Sequence, residues 1–163
     1  MFYKIENNSL EAVISDLGAT LVKLIDKTTG KDIVLGFDDE QSYLDTKCYI
    51  GASVGRNANR IGNAQFILNG NTYKLTVNDN SNQLHGGGDN FAFKTWKVKD
   101  KGNDYIVFTY YSKDKEEGFS GNLNVDITYK LDNNNLIWSY SGKADADWKR
   151  KLLSFRQFRH VRP

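Results

Sequence analysis

Two side chains suited to handling protons and oxygen atoms stand 25 residues apart, each fenced by glycine and asparagine. Arg60 stands near the end of the run Ser53-Val54-Gly55-Arg56-Asn57-Ala58-Asn59-Arg60-Ile61, and His85 sits in Leu84-His85-Gly86-Gly87. An imidazole, with an unperturbed pKa of about 6.5, can give or take a proton near neutrality without large tuning. A guanidinium can hold an oxygen and stabilise charge that develops on it. Both residues border strand-like runs, a pattern that places polar groups at loop mouths above a β scaffold. Such groups suit a hydroxylated ligand.

Competing roles exist for each. His85 could be a turn histidine satisfied by backbone groups, and Arg60 could pair with an acid such as Asp79. Asn59 is a secondary candidate, placed to orient Arg60 or touch a hydroxyl, although loop asparagines commonly bond their own backbone. Trp96 could stack on a sugar face, but its place in an alternating run reads as core. Glu116 and Glu117 are adjacent, so on extended backbone they point to opposite sides and do not make a juxtaposed acid and base.

The elements that must position these groups are strands. Alternation of period two recurs along the chain, and helical spacing is weak throughout. It predicts strands at Tyr3–Ile5, Glu11–Ser15, Ala19–Asp26, Asp32–Leu35, Ala64–Leu68, Asn71–Val77, Thr95–Lys99, Tyr105–Tyr111, Asn122–Leu131 and Leu136–Ser141. Asn69-Gly70 joins two of these runs and suits a type I′ hairpin turn, with Phe66 and Leu68 sharing one face and Tyr73, Leu75 and Val77 sharing one on the partner strand. Turn signals at Thr28–Lys31, Lys101–Asp104 and Asp132–Asn135 extend the pattern into a meander. The expected fold is all-β, an antiparallel sandwich, with residues 1–146 as one unit because no repeat or linker divides them.

Composition agrees with a globular domain: 163 residues, 39% hydrophobic and 13% aromatic. No apolar run approaches the roughly 20 residues of a membrane span, and the first residues lack a signal-peptide layout, so a cytoplasmic location is the default. Cys48 stands alone, which excludes an internal disulfide, and with two histidines it offers no metal-ligand spacing. It is expected to be a small buried hydrophobe. The last 17 residues are different material. Asp147–Pro163 holds six basic residues (Lys149, Arg150, Lys151, Arg156, Arg159, Arg162) against one acid, whereas residues 1–146 hold 16 basic and 19 acidic residues. A nucleic-acid arm is the competing reading of this tail, but the body has no basic stripe to support it.

Several motifs occur in one order: Gly18-Ala19-Thr20-Leu21, Gly55–Ile61, Asn82-Gln83-Leu84-His85-Gly86-Gly87, the Phe91–Val98 segment with Trp96, and Glu116-Glu117-Gly118-Phe119-Ser120-Gly121-Asn122-Leu123. Together they resemble the N-terminal part of an aldose 1-epimerase of the galactose mutarotase type, which usually has proline at the Ser120 position. The resemblance implies a large antiparallel β-sandwich, the galactose mutarotase-like supersandwich, incomplete here. It further implies interconversion of the α and β anomers of a hexose such as galactose or glucose. No cofactor and no metal are expected; the partner is a small-molecule sugar, without nucleic acid or membrane.

By their motifs, His85 matches the first of two active-site histidines, a catalytic and substrate-binding group beside the ring oxygen, and Arg60 matches the substrate-binding arginine. The family continues after Asp145-Ala146-Asp147 into an Asn-His motif carrying the second histidine, and a glutamate base follows near its far C-terminus. This chain reads Trp148-Lys149-Arg150-Lys151 instead, and His160, between Arg159 and Val161, does not inherit the role. A reading-frame shift near codon 147, the preferred explanation, or an incomplete gene model would account for the foreign tail. The expectation is a truncated, catalytically incompetent chain of the aldose 1-epimerase lineage; the alternative is a carbohydrate-binding β-sandwich without catalysis.

Overall fold

The computed structural model describes residues 1–145, and the expectations for the tail and for His160 lie outside the described residues. In chain order the elements are β1 (Phe2–Glu6), β2 (Leu10–Ser15), β3 (Thr20–Asp26), β4 (Lys31–Asp32), α1 (Glu40–Thr46), β5 (Arg60–Ile61), β6 (Gln65–Leu68), β7 (Asn71–Lys74), β8 (Gln83–Leu84), β9 (Lys97–Lys101), β10 (Tyr105–Ser112), β11 (Leu123–Asp132) and β12 (Asn135–Ala144). Two four-stranded antiparallel sheets form, in the orders β1-β2-β3-β4 and β12-β11-β10-β9. Two short ladders, β5-β8 and β6-β7, carry the segment between them.

Strand alternation places the core. Along β11, Leu123, Val125, Ile127, Tyr129 and Leu131 are buried while the residues between them are half-buried or exposed, so a single face turns inward. That face meets Ile5, Ile14, Leu21 and Leu24 of the first sheet in one apolar cluster. Burying a leucine, isoleucine or valine side chain in this way contributes about 1.5–3 kcal/mol. The Tyr129 hydroxyl donates to the Ala19 carbonyl at 2.6 Å, which satisfies a polar tip that the core would otherwise strand. Trp96 is 2% exposed and donates from Nε1 to the Phe91 carbonyl at 3.1 Å. It is core, as expected, but not by strand alternation: the expected strand Thr95–Lys99 is displaced to Lys97–Lys101, all five residues of which are exposed, and Trp96 lies just before it. At the sheet edge, β9 presents Lys97, Lys99 and Lys101, charges that discourage further strand pairing.

The Asn69-Gly70 turn has positive φ at both residues, 52° and 77°, and sets Phe66 opposite Tyr73 with stacked rings 5.1 Å apart. Four further details differ from the sequence pattern. The expected strand at Asp32–Leu35 shrinks to Lys31–Asp32 because the Asp32 carboxylate accepts the Leu24 and Val34 amide protons, leaving Ile33 and Leu35 exposed. β7 stops at Lys74, since the Leu75 amide turns to the Ala64 carbonyl and the Thr76 amide to the Glu117 carbonyl. Helix α1 has no counterpart in the pattern. Only Tyr43 of its seven residues is buried, so no apolar stripe announces it, and Asp39 starts it by accepting the Ser42 amide proton at 2.8 Å. Finally, Cys48 is half-buried rather than buried, because it lies on the loop after α1, where the Thr46 hydroxyl donates to its sulfur at 3.1 Å.

Candidate functional site

The β5-β8 ladder is two residues long, with Arg60 opposite Leu84 and Ile61 opposite Gln83. So short a ladder needs side chains to hold it. The Asn78 amide clamps Leu84 on both backbone groups, accepting its N–H at 2.6 Å and donating to its carbonyl at 3.0 Å. Gln83, 1% exposed, donates to the Glu117 carbonyl at 3.0 Å, and Asn82 accepts the Asn63 amide proton at 3.1 Å.

His85 follows directly. Its backbone N–H donates to the Asn59 carbonyl at 3.1 Å, and its ring Nδ1 accepts the Asn59 N–H at 3.0 Å. With Nδ1 occupied as acceptor, the neutral imidazole carries its proton on Nε2 and is a donor there. Asn59 and His85 have φ of 67° and 55°, left-handed values that end the strand alternation at this point. The Tyr49 ring packs edge-to-face on the imidazole, with centroids 4.7 Å apart. Behind it, Gly86 has φ of 93°, and a Cβ there would overlap the Gly55 carbonyl, so only glycine lets the loop lie against the Gly55–Arg56 peptide.

Arg60 is exposed and donates from Nε to Asp79 Oδ2 at 2.6 Å. Asp79 is itself set by a tight turn in which Asp79 and Asn82 exchange backbone hydrogen bonds at 3.1 and 2.9 Å. An exposed pair of this kind adds little stability, so its effect is to aim the guanidinium. The structure therefore brings Asn59, Arg60 and His85 to one ladder end. It gives Asn59 a main-chain part beside His85, while Asp79 orients Arg60.

Sequence reasoning passed over Arg56, which is 2% exposed. Its guanidinium donates to the Ser112 hydroxyl and to the carbonyls of Ser112, Lys113, Ser120 and Gly121 at 2.8–3.2 Å, and it lies 5.9 Å from the Phe119 ring centre. Burial pushes its pKa below the ordinary value. Nothing in a sequence distinguishes this clamp from Arg60 four residues on, because the difference lies in carbonyls more than 50 residues away. Asn90, 1% exposed, was also passed over; it donates to the Gly87 carbonyl at 2.7 Å and accepts the Ala92 amide proton at 3.0 Å. The two glutamates diverge, as expected, but not through strand alternation: they lie in a 3-10 turn, Glu116–Gly118, in which Glu117 has left-handed φ of 50°. Glu116 accepts from the Tyr110 hydroxyl at 3.1 Å, and burial, followed by the charge of Glu116, pushes that phenol well above its usual range. Glu117 accepts from the Thr76 hydroxyl and from the Asp89 amide. Among the described residues no three His, Cys, Asp or Glu side chains gather as a metal site, and no helix is long and apolar enough to cross a membrane.

The sequence profile of the family described as aldose 1-epimerase matches residues 1–155. The chain belongs to the aldose 1-epimerase family. It is 37% identical over 154 residues to an aldose 1-epimerase of Haemophilus influenzae, covering 93% of this chain and 45% of that one. It is likewise 37% identical over 159 residues to galactose mutarotase of Bos taurus, covering 96% and 46%. Among solved structures, a GalM/aldose epimerase homologue from C. elegans superposes with a TM-score of 0.82 at 33% identity, over 89% of this chain and 46% of that one. Galactose 1-epimerase from Lactobacillus acidophilus gives 0.78 at 26%, over 87% and 43%. The fold is thus the antiparallel sandwich of galactose mutarotase, and this chain spans about half the length of the family members it matches. The family match also runs past residue 146, to residue 155.

Proposed function

We propose that the Arg60–His85 ladder end is one side of an aldose 1-epimerase site, which interconverts the α and β anomers of a hexose such as galactose or glucose. The reaction needs a base to take the anomeric hydroxyl proton and an acid to protonate the ring oxygen. The C1–O5 bond then opens, C1 rotates, and closure gives the other anomer. The observation that carries the reading is the Asn59–His85 bond: with Nδ1 accepting, the neutral imidazole bears its proton on Nε2, the tautomer suited to protonating a ring oxygen. Arg60, aimed by Asp79, holds a sugar oxygen and stabilises charge on it. No cofactor takes part in this chemistry.

The second histidine and the glutamate base implied by the family resemblance have no matching motif among these 163 residues, so the site proposed here is the part that Arg60 and His85 supply. The basic tail is read as the product of a reading-frame shift near codon 147. Translating the source DNA from codon 140 in all three frames tests that origin: another frame continuing with an Asn-His motif supports it, and none doing so refutes it. The site is tested by restoring a full-length family C-terminus and following a fresh α-galactose solution by polarimetry. Activity should appear, and His85→Asn or Arg60→Ala should lower it at least about tenfold. Full activity in both variants would overturn the assignment. Galactose binding by the restored chain with anomerisation at its buffer rate would favour a carbohydrate-binding protein instead.

A further inference from the structure

Glu117 combines two observations that the proposed chemistry does not use. Its φ is 50°, a left-handed conformation that is uncommon for a residue other than glycine, asparagine or aspartate. Its groups also contact both chain segments that flank His85. On the upstream side, its carboxylate accepts from the Thr76 hydroxyl and its carbonyl accepts the Thr76 amide proton at 3.2 Å and a Gln83 Nε2 proton at 3.0 Å. On the downstream side, Oε1 accepts the Asp89 amide proton at 2.8 Å. The carboxylate also fills the space beside Gly87 that a Cβ at that position would need. The loop that carries Glu117 is in turn tied down by Arg56, whose guanidinium holds the carbonyls of Lys113, Ser120 and Gly121.

We propose that Glu117 is a positioning residue for His85: a carboxylate strut that fixes the Gly86–Asp89 loop, and through it the imidazole, from a chain segment remote in sequence. The proposal rests on the reading of His85 as the sugar-handling group, but its mechanics do not need sugar. A strut accounts for the strained backbone. Left-handed φ turns the Glu117 side chain toward Asp89 while its carbonyl faces Gln83, and a residue in ordinary extended backbone would have to give up one contact or the other.

The test uses the full chain and two variants. Glu117→Gly removes the carboxylate and relieves the left-handed strain, so the fold is kept; Glu117→Gln keeps an oxygen that can accept the Asp89 proton. In Glu117→Gly the Asp89 amide should exchange with solvent about tenfold faster, the scale of one lost charge-assisted hydrogen bond. The His85 Nδ1 resonance should move toward that of an imidazole in water, with global unfolding unchanged. Glu117→Gln should restore most of the Asp89 protection and the His85 resonance. An unmoved His85 resonance in Glu117→Gly overturns the strut. If Glu117→Gly does not fold, Glu117→Ala, which also removes the carboxylate, takes its place: a moved His85 resonance with an intact core supports the strut, and an unmoved one overturns it. Failure of the chain to bind galactose, with these shifts present, would count against the sugar-handling reading alone.

Discussion

The two facing sheets and the stretch between them are held together by different physics. In the sheets, positions are set by apolar burial at period two, and a side chain's environment follows from its place in the alternation. In the stretch from Gly55 to Asn90, ladders are two to four residues long and side chains are fixed by hydrogen bonds to backbone: Asn78 on Leu84, Gln83 on Glu117, Asn90 on Gly87, and Asn59 on His85 through its own main chain. Apolar packing tolerates small shifts, whereas a set of directed hydrogen bonds defines one position for an imidazole. The scaffold therefore supplies stability and the polar stretch supplies geometry.

This difference can be broken at either end. The largest effect is expected in the scaffold: Ile127, wholly buried at the centre of β11, should cost about 3–4 kcal/mol on replacement by alanine in urea unfolding, while the His85 Nδ1 resonance stays in place. A cost below about 1 kcal/mol would mean that the sheets are not held by packing. Gly86→Ala should reverse the pattern. Its positive φ and the overlap with the Gly55 carbonyl predict a loss of about 2 kcal/mol, together with displacement of the His85 resonance. An unshifted resonance would show that the loop has room the geometry does not reveal.

The smallest effect concerns α1. The Asp39 carboxyl is held below its usual range first by the Ser42 amide and then by the Ser42 hydroxyl. Its folded pKa lies under the unfolded value of about 3.9, so the cap is fully stabilising above that pH and is lost as pH falls through the folded value. Helical signal and Tyr43 burial should hold from pH 5 to 8 and decline below about pH 4, and Asp39→Asn should remove that acid step. A decline beginning near pH 6 would point to a group other than Asp39.

The same division explains what the sequence disclosed. Most strands of both sheets and the Asn69-Gly70 hairpin are written in local alternation and turn chemistry and stand where the pattern puts them; β4 and β9 do not, the first shortened and the second shifted to Lys97–Lys101. The places of Arg60 and His85 were legible through their motifs and the strand ends beside them. The buried Arg56 and Asn90 and the half-buried Glu117 were not, because their roles are explained only by partners that the fold brings in from elsewhere. Helix α1 escaped for the opposite reason: with one buried residue in seven, it depends on a cap and not on a stripe.

Cys48 carries a practical consequence. It is the chain's single thiol, half-buried, and it immediately precedes the Tyr49 whose ring rests on His85. An environment-sensitive fluorophore attached there would label one known position without prior mutagenesis. Its emission would register movement of the imidazole's neighbour, so titrating galactose against the labelled chain would give the proposed sugar site an optical test independent of turnover.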